Sequence, residues 1–359
     1  MCSTTWSGST TRRVGTRRWG TSVRSSSRKL ERLRSVSRNR QQPTGIVVVS
    51  LALVHLVPLA RQLPYDGTRE RLVKQHEYLG NIEVAHFRDW LVQRLQGHSI
   101  GFVGYPGLLD ARNAYCWPLR LTKGLPKEGH PYAYPTLADL PARSSLAVNH
   151  VSLVKLQHEL RAAYEQPAGN PEAVQRLAGV VAAIFYWGGV FTTTRQGGNK
   201  PWLAQNAHQL RDLLRAVADD YARGEDRSRI VGLRFNSGMT KIYSLLLDDF
   251  VIYDSRVAAA LAWLALRWWC TELQQPEQTL PELLRFGCLA GNGQPEINRR
   301  PSKVFPMLRN DPYGHYQWNV RTNWLLADAM QRARAEQIPF QTLRELEAAL
   351  FQMGARVDY

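Results

Sequence analysis

Apolar residues recur three and four positions apart along most of the chain, the spacing that lines one face of an α-helix. Val84, Phe87, Leu91, Val92 and Leu95 predict a helix over about 84–96, and a second pattern over about 69–80 follows the turn Pro64-Tyr65-Asp66-Gly67. Between 97 and 145 the pattern breaks: Gly101, Gly104, Pro106, Gly107, Pro118, Gly124, Pro126, Gly129, Pro131, Pro135 and Pro141 leave room for loops and short strands. Helical spacing returns over about 146–165, 171–187, 202–222, 240–247, 255–270, 279–286, 320–336 and 342–353. The expected fold class is mainly α with a loop-rich N-terminal region, and no repeat of fixed period is visible.

The first 42 residues stand apart. They carry eleven Arg and Lys against the single acid Glu31, with almost no apolar periodicity, and are expected to be a disordered basic tail. A non-specific DNA arm is the other reading of that tail. The apolar run 46–60 contains His55 and Pro58 and falls short of the roughly 20 residues that span a bilayer, so it reads as a buried element. Length then suggests a tail over 1–42, a helical and loop-rich region over 43–140 and a helical domain over 141–359.

A hydrophobic content of 44% suffices for a full core without disulfide or metal staples. Cys2, Cys116, Cys270 and Cys288 are too scattered for a disulfide framework or a zinc site, which points to a reducing, cytoplasmic setting. The net charge of +16 favours an anionic partner. His76, His86, His150, His158 and His208 form no spaced set with acids, so neither metal nor cofactor is expected.

The segment richest in chemistry runs from Arg234 to Val257. A polar Asn236-Ser237-Gly238 turn leads into a short helix with Ile242, Leu245 and Leu246 inward and Lys241 near its start. Asp254 is a natural N-cap for a second helix anchored by Val257, Leu261, Leu264 and Trp268. The first helix advances about 10 Å and the extended residues after it can return about 17 Å, so Lys241 and Asp254 can lie side by side. Separately, Asp254 reads as a cap and Lys241 as a phosphate contact; together they suit nucleophilic and electrostatic chemistry.

The stretch GMTKIYSLLLDDFVIYDSRVAAAL, a Gly-x-x-Lys followed after twelve residues by Asp, resembles the helix-hairpin-helix superfamily of DNA glycosylases, in its bacterial 8-oxoguanine-glycosylase-like branch. The resemblance covers about 25 residues and implies a helix-hairpin-helix glycosylase-like helical domain. It implies Lys241 and Asp254 as catalytic residues, and Ser237, Gly238 and Thr240 as a hairpin offering N–H groups to a DNA phosphate. The family's hairpin has glycines two and four residues before the lysine, where Met239 and Ser237 stand here. The implied partner is double-stranded DNA with a flipped-out modified base, and an anti-phage glycosylase acting on glucosylated hydroxymethylcytosine is one candidate relative.

Base flipping requires a pocket with stacking and polar contacts. Two segments are candidates for it: Tyr186, Trp187 and Arg195 within an aromatic and Gly-rich stretch, and His315, Trp318 and Asn319. A helix end with its loop, and ordinary packing at a helix start, are the respective alternatives. Arg299, Arg300 and Lys303 lie in a Gly/Pro-rich loop suited to phosphate contacts or to simple solvation. The expected activity is base excision leaving an abasic site, with AP lyase activity open. A non-catalytic DNA-binding protein is the alternative, and no acidic cluster suggests a magnesium nuclease.

Overall fold

A computed structural model describes residues 72–118, 143–167, 170–191, 198–290, 298–308, 311–336, 338–355 and 357. The basic tail, the apolar run 46–60 and Arg195 lie outside the described residues. Helices dominate: α1 (Gln75–Gly80), α2 (Ile82–Leu95), α3 (Leu108–Asn113), α4 (Leu146–Tyr164), α5 (Pro171–Trp187), α6 (Asn199–Asn206), α7 (Leu210–Ala222), α8 (Ser237–Leu246), α9 (Ser255–Arg267), α10 (Pro312–Arg334) and α11 (Leu343–Met353). The one strand pair among the described residues is β1 (Trp117–Pro118) against β2 (Arg143–Ser144), antiparallel, with Trp117 opposite Ser144.

Most helices begin at side chains that accept the orphan N–H groups of a first turn. Asn81, Ser145, Asn170, Asn236, Asp254, Asp311 and Thr342 each accept a backbone N–H from their own helix. Pro171 and Pro312 occupy the first positions of α5 and α10, where proline has no bond to lose. These caps also shift two boundaries from the expected ones. Asp311-Pro312 starts α10 well before 320, so His315, Trp318 and Asn319 lie inside the helix. Asn236 starts α8 at Ser237, so Ser237, Gly238 and Thr240 form the helix's first turn and not a loop ahead of it. The helix expected over 279–286 is instead two short 3₁₀ turns, each following a proline, Pro276 and Pro281.

At the centre sits α9. Its residues from Val257 to Ala262, with Leu264 and Ala265, are fully buried, as suits a helix apolar on all sides. Its alanines allow close neighbours, and Gly354 at the end of α11 abuts the Arg256 carbonyl where a Cβ would not fit. Among the described residues α2 packs on α10 and α3 on α11, so helices from before 119 and after 142 complete the same core. Buried Asp226 ties Val73, ahead of α1, into it by accepting from the Val73 N–H, Gln317 and Arg321.

Candidate active site

The extended residues 250–254 between α8 and α9 have no strand partner among the described residues, so buried side chains must meet their backbone groups. From α10, Asn323 Oδ1 accepts the Val251 N–H at 2.9 Å, Asn319 Nδ2 donates to the Val251 carbonyl at 3.1 Å, and His315 Nε2 donates to the Tyr253 carbonyl at 2.9 Å. From α11, Glu347 Oε2 accepts the Ile252 N–H at 2.6 Å. His315 and Asn319 stand four residues apart, about 6 Å of helix rise, close to the advance of the two extended residues from Val251 to Tyr253, and Asn323, one turn further on, takes the other backbone group of Val251. The polar ladder on α10 thus matches the backbone it holds.

This cradle delivers Asp254 to the start of α9. Its Oδ1 accepts from the Arg256 and Val257 N–H groups at 2.9 and 3.1 Å, which fixes the carboxylate and leaves Oδ2 facing Lys241 Nζ at 3.8 Å. The Lys241 amine also donates to the Ser237 carbonyl at 3.0 Å. Its side chain is only 3% exposed, against 16% for Asp254. Gly188, at the end of α5, makes the room: a Cβ there would strike the lysine's Cδ and Cε.

Burial pulls the Lys241 amine below its ordinary value, Asp254 and Glu347 oppose that shift, and the Arg344 and Arg256 guanidiniums reinforce it. Glu347 is pushed up by burial, against the pull of Arg344 and the Ile252 N–H. His315 is lowered to about 4 by burial, with Lys241 adding to the effect, and so is neutral near pH 7. The site therefore offers a fixed carboxylate beside an amine biased toward its neutral, nucleophilic form.

Beside Asp254 lies a nearly closed cavity, walled by Tyr115, Trp117, Asn149, Trp187 and Phe351, with about 10 Å³ of free space, room for a single water. Trp187 is thus the one candidate pocket aromatic that the fold sets next to Asp254. His315 reaches the same neighbourhood but spends Nε2 on the backbone, as Asn319 spends its amide. Tyr186 packs on Phe191, and Trp318 lies over Gly287. Arg299 donates to the Gly354 carbonyl, and Arg300 to the carbonyls of Phe305 and Lys303, which shapes their loop; Lys303 is exposed. Of the expected phosphate hairpin, the Gly238 N–H is taken by Asn236 Oδ1, which also accepts from Met239, and the Thr240 N–H by the Asn236 carbonyl. Asn199, held by Arg234, crowds Gly238.

Asn149, Glu347, Trp117 and Tyr115 were not singled out from the sequence. A signal existed for two of them: Asn149 and Glu347 occupy positions on the buried stripes of α4 and α11, where apolar residues are the rule. Among the described residues no group of three His, Cys, Asp or Glu is placed to hold a metal ion, and no helix is long and apolar enough to cross a membrane. No protein-family model, curated protein or solved structure matches this chain.

Proposed function

We propose that this protein is a DNA glycosylase of the helix-hairpin-helix kind, which excises a flipped-out modified base and leaves an abasic site. The observation that carries the reading is the pairing of a buried, charge-disfavoured Lys241 with the fixed carboxylate of Asp254 at 3.8 Å. In this reading Asp254 stabilises the positive charge that develops on the sugar as the base departs. The lone pair of Lys241 Nζ forms a bond to C1′ while the pair of the breaking C1′–N bond leaves with the base, which takes up a proton. Transfer of an Nζ proton to the ring oxygen then opens the sugar to a Schiff base, from which either hydrolysis or β-elimination proceeds.

A non-catalytic DNA-binding protein is the alternative. It would offer the first turn of α8 to a phosphate, and the Gly238 and Met239 N–H groups of that turn are already bonded to Asn236 Oδ1, which speaks against it. The test is incubation of the full chain with duplexes carrying defined modified bases, followed by mass detection of free base and borohydride trapping. Release of a base with an abasic product supports the reading. Tight duplex binding without release from any substrate supports the alternative.

A further inference from the structure

At the end of α9 remote from Asp254, about 20 Å away by helix rise, two arginines converge on one carboxylate. Arg94 of α2 and Arg267 of α9 each bring Nη2 toward Glu272 Oε1, and each stops at 3.8 Å. Every other arginine–carboxylate pair among the described residues closes to 3.1 Å or less. The Nε atoms of both guanidiniums are buried and have no hydrogen-bond partner among those residues. The same is true of Nε1 of Trp90, whose ring the Arg94 guanidinium covers at 4.5 Å. Three unmet buried donors thus fall in one cluster, where two positive charges face one negative.

Burial draws the Arg94 guanidinium below its ordinary value, Glu272 opposes that shift and Arg267 adds to it. The Arg267 guanidinium lies against Gly101, where φ is +65° and a Cβ would stand 2.8 Å from Nη2. Glu272 closes a π-helical turn, Trp268–Glu272, a rare conformation that is frequent at functional sites. The Glu272 side chain is 37% exposed, against 10% for Arg94 and 31% for Arg267, so the carboxylate has the freer path into solvent.

We propose that Arg94 and Arg267 form a binding site for a phosphate monoester dianion, with Glu272 as a placeholder that the ligand displaces. Two guanidiniums and a dianion balance, whereas Glu272 leaves one positive charge over. The planar fork of a guanidinium matches two oxygens of a phosphate, and three terminal oxygens can serve two forks; a ligand carboxylate would supply no more than Glu272 does. The site is separate from Lys241 and Asp254 and does not rest on the glycosylase reading. A free mononucleotide and the phosphorylated end of a strand both carry such a group.

The full chain, Arg267→Gln and Glu272→Gln are titrated calorimetrically with inorganic phosphate at pH 7.5 and constant ionic strength, and thermal melts verify that each variant folds. The parent is expected to bind phosphate, Arg267→Gln about tenfold more weakly, and Glu272→Gln severalfold more tightly because the competing carboxylate has lost its charge. Absence of binding by both the parent and Glu272→Gln, or binding that Arg267→Gln leaves unchanged, overturns the site. Weaker binding by Glu272→Gln overturns the placeholder. Adenosine 5′-monophosphate and a short single strand, with and without a 5′-phosphate, then separate the sources. Arg267-dependent binding of the nucleotide with neither strand bound assigns a free monoester, and tighter binding of the phosphorylated strand assigns a strand end. Equal, Arg267-dependent binding of the two strands overturns the monoester in favour of internal phosphates.

Discussion

Lys241 Nζ stands 3.8 Å from Asp254 Oδ2, while the other oxygen of that carboxylate is bonded to the first turn of α9. The division of labour between the two oxygens matters. One anchors the group with N–H donors that also satisfy a helix start, and the other is left to act on its neighbour.

Asp254→Asn should therefore cut base release by about 10²-fold or more, because a neutral amide loses the charge that stabilises a cationic sugar. Asn still caps α9, so the melting temperature should move little. DNA affinity should stay within a few-fold of the parent. Single-turnover base release and duplex binding measured together check this, and full activity in the variant would remove Asp254 from the chemistry.

Lys241→Gln should yield no borohydride-trapped adduct, whereas the parent should give one with strand cleavage accompanying base release. Lys241→Met tests the energetics of the same group. A buried ammonium is costly, so the apolar variant should match or exceed the parent's stability near neutral pH. Because the folded amine loses its proton at a lower pH than the unfolded one, the parent should gain on Lys241→Met as pH rises toward the ordinary lysine value. Chemical denaturation across that range reads the gain, and a constant difference would mean the amine is not perturbed.

Glu347 accepts from Ile252, two residues before Asp254, and is forked by Arg344, which also donates to the Ser244 carbonyl of α8. Glu347→Ala leaves the half-buried Arg344 without its carboxylate and the Ile252 N–H unmet, a loss of about 1–3 kcal/mol. Glu347→Gln keeps an acceptor for the N–H and should fold. It is expected to lower the rate of base release several-fold with DNA affinity unchanged, the signature of a misplaced Asp254. An unchanged rate in a well-folded Glu347→Gln would confine Glu347 to stability.

The helices were legible because their caps and apolar stripes are local. Asn236 and Asp254 announce α8 and α9, and the pairing of Lys241 with Asp254 follows from helix rise and the reach of the extended link between them. The boundary of α10 was missed because periodicity weakens where His315, Asn319 and Asn323 occupy core positions; these polar residues are buried to serve a backbone 62 to 72 residues away. That service is a long-range relation, invisible to any window of sequence. Trp117 was missed for a related reason. It stands in a Gly/Pro-rich stretch without periodicity, and only the fold stacks it on Trp187.

His315 gives the sharpest pH signature. Its folded value of about 4 lies below the ordinary 6.5, because burial disfavours the imidazolium and Lys241 adds repulsion, despite the bond to the Tyr253 carbonyl. Above pH 6.5 the ring is neutral folded and unfolded, and its contribution to stability is constant. As pH falls from 6.5 toward 4 the unfolded chain takes up a proton that the folded chain refuses, so stability drops by about 3 kcal/mol over that window and levels off below it. His315→Gln removes the titration, and its amide can still donate to the same carbonyl. The variant should be less stable than the parent at pH 7.5, and the gap should close by about 3 kcal/mol on going to pH 4. Calorimetric melts of both proteins across this range decide it, and parallel stability curves would mean that His315 does not enter the fold as a buried neutral ring.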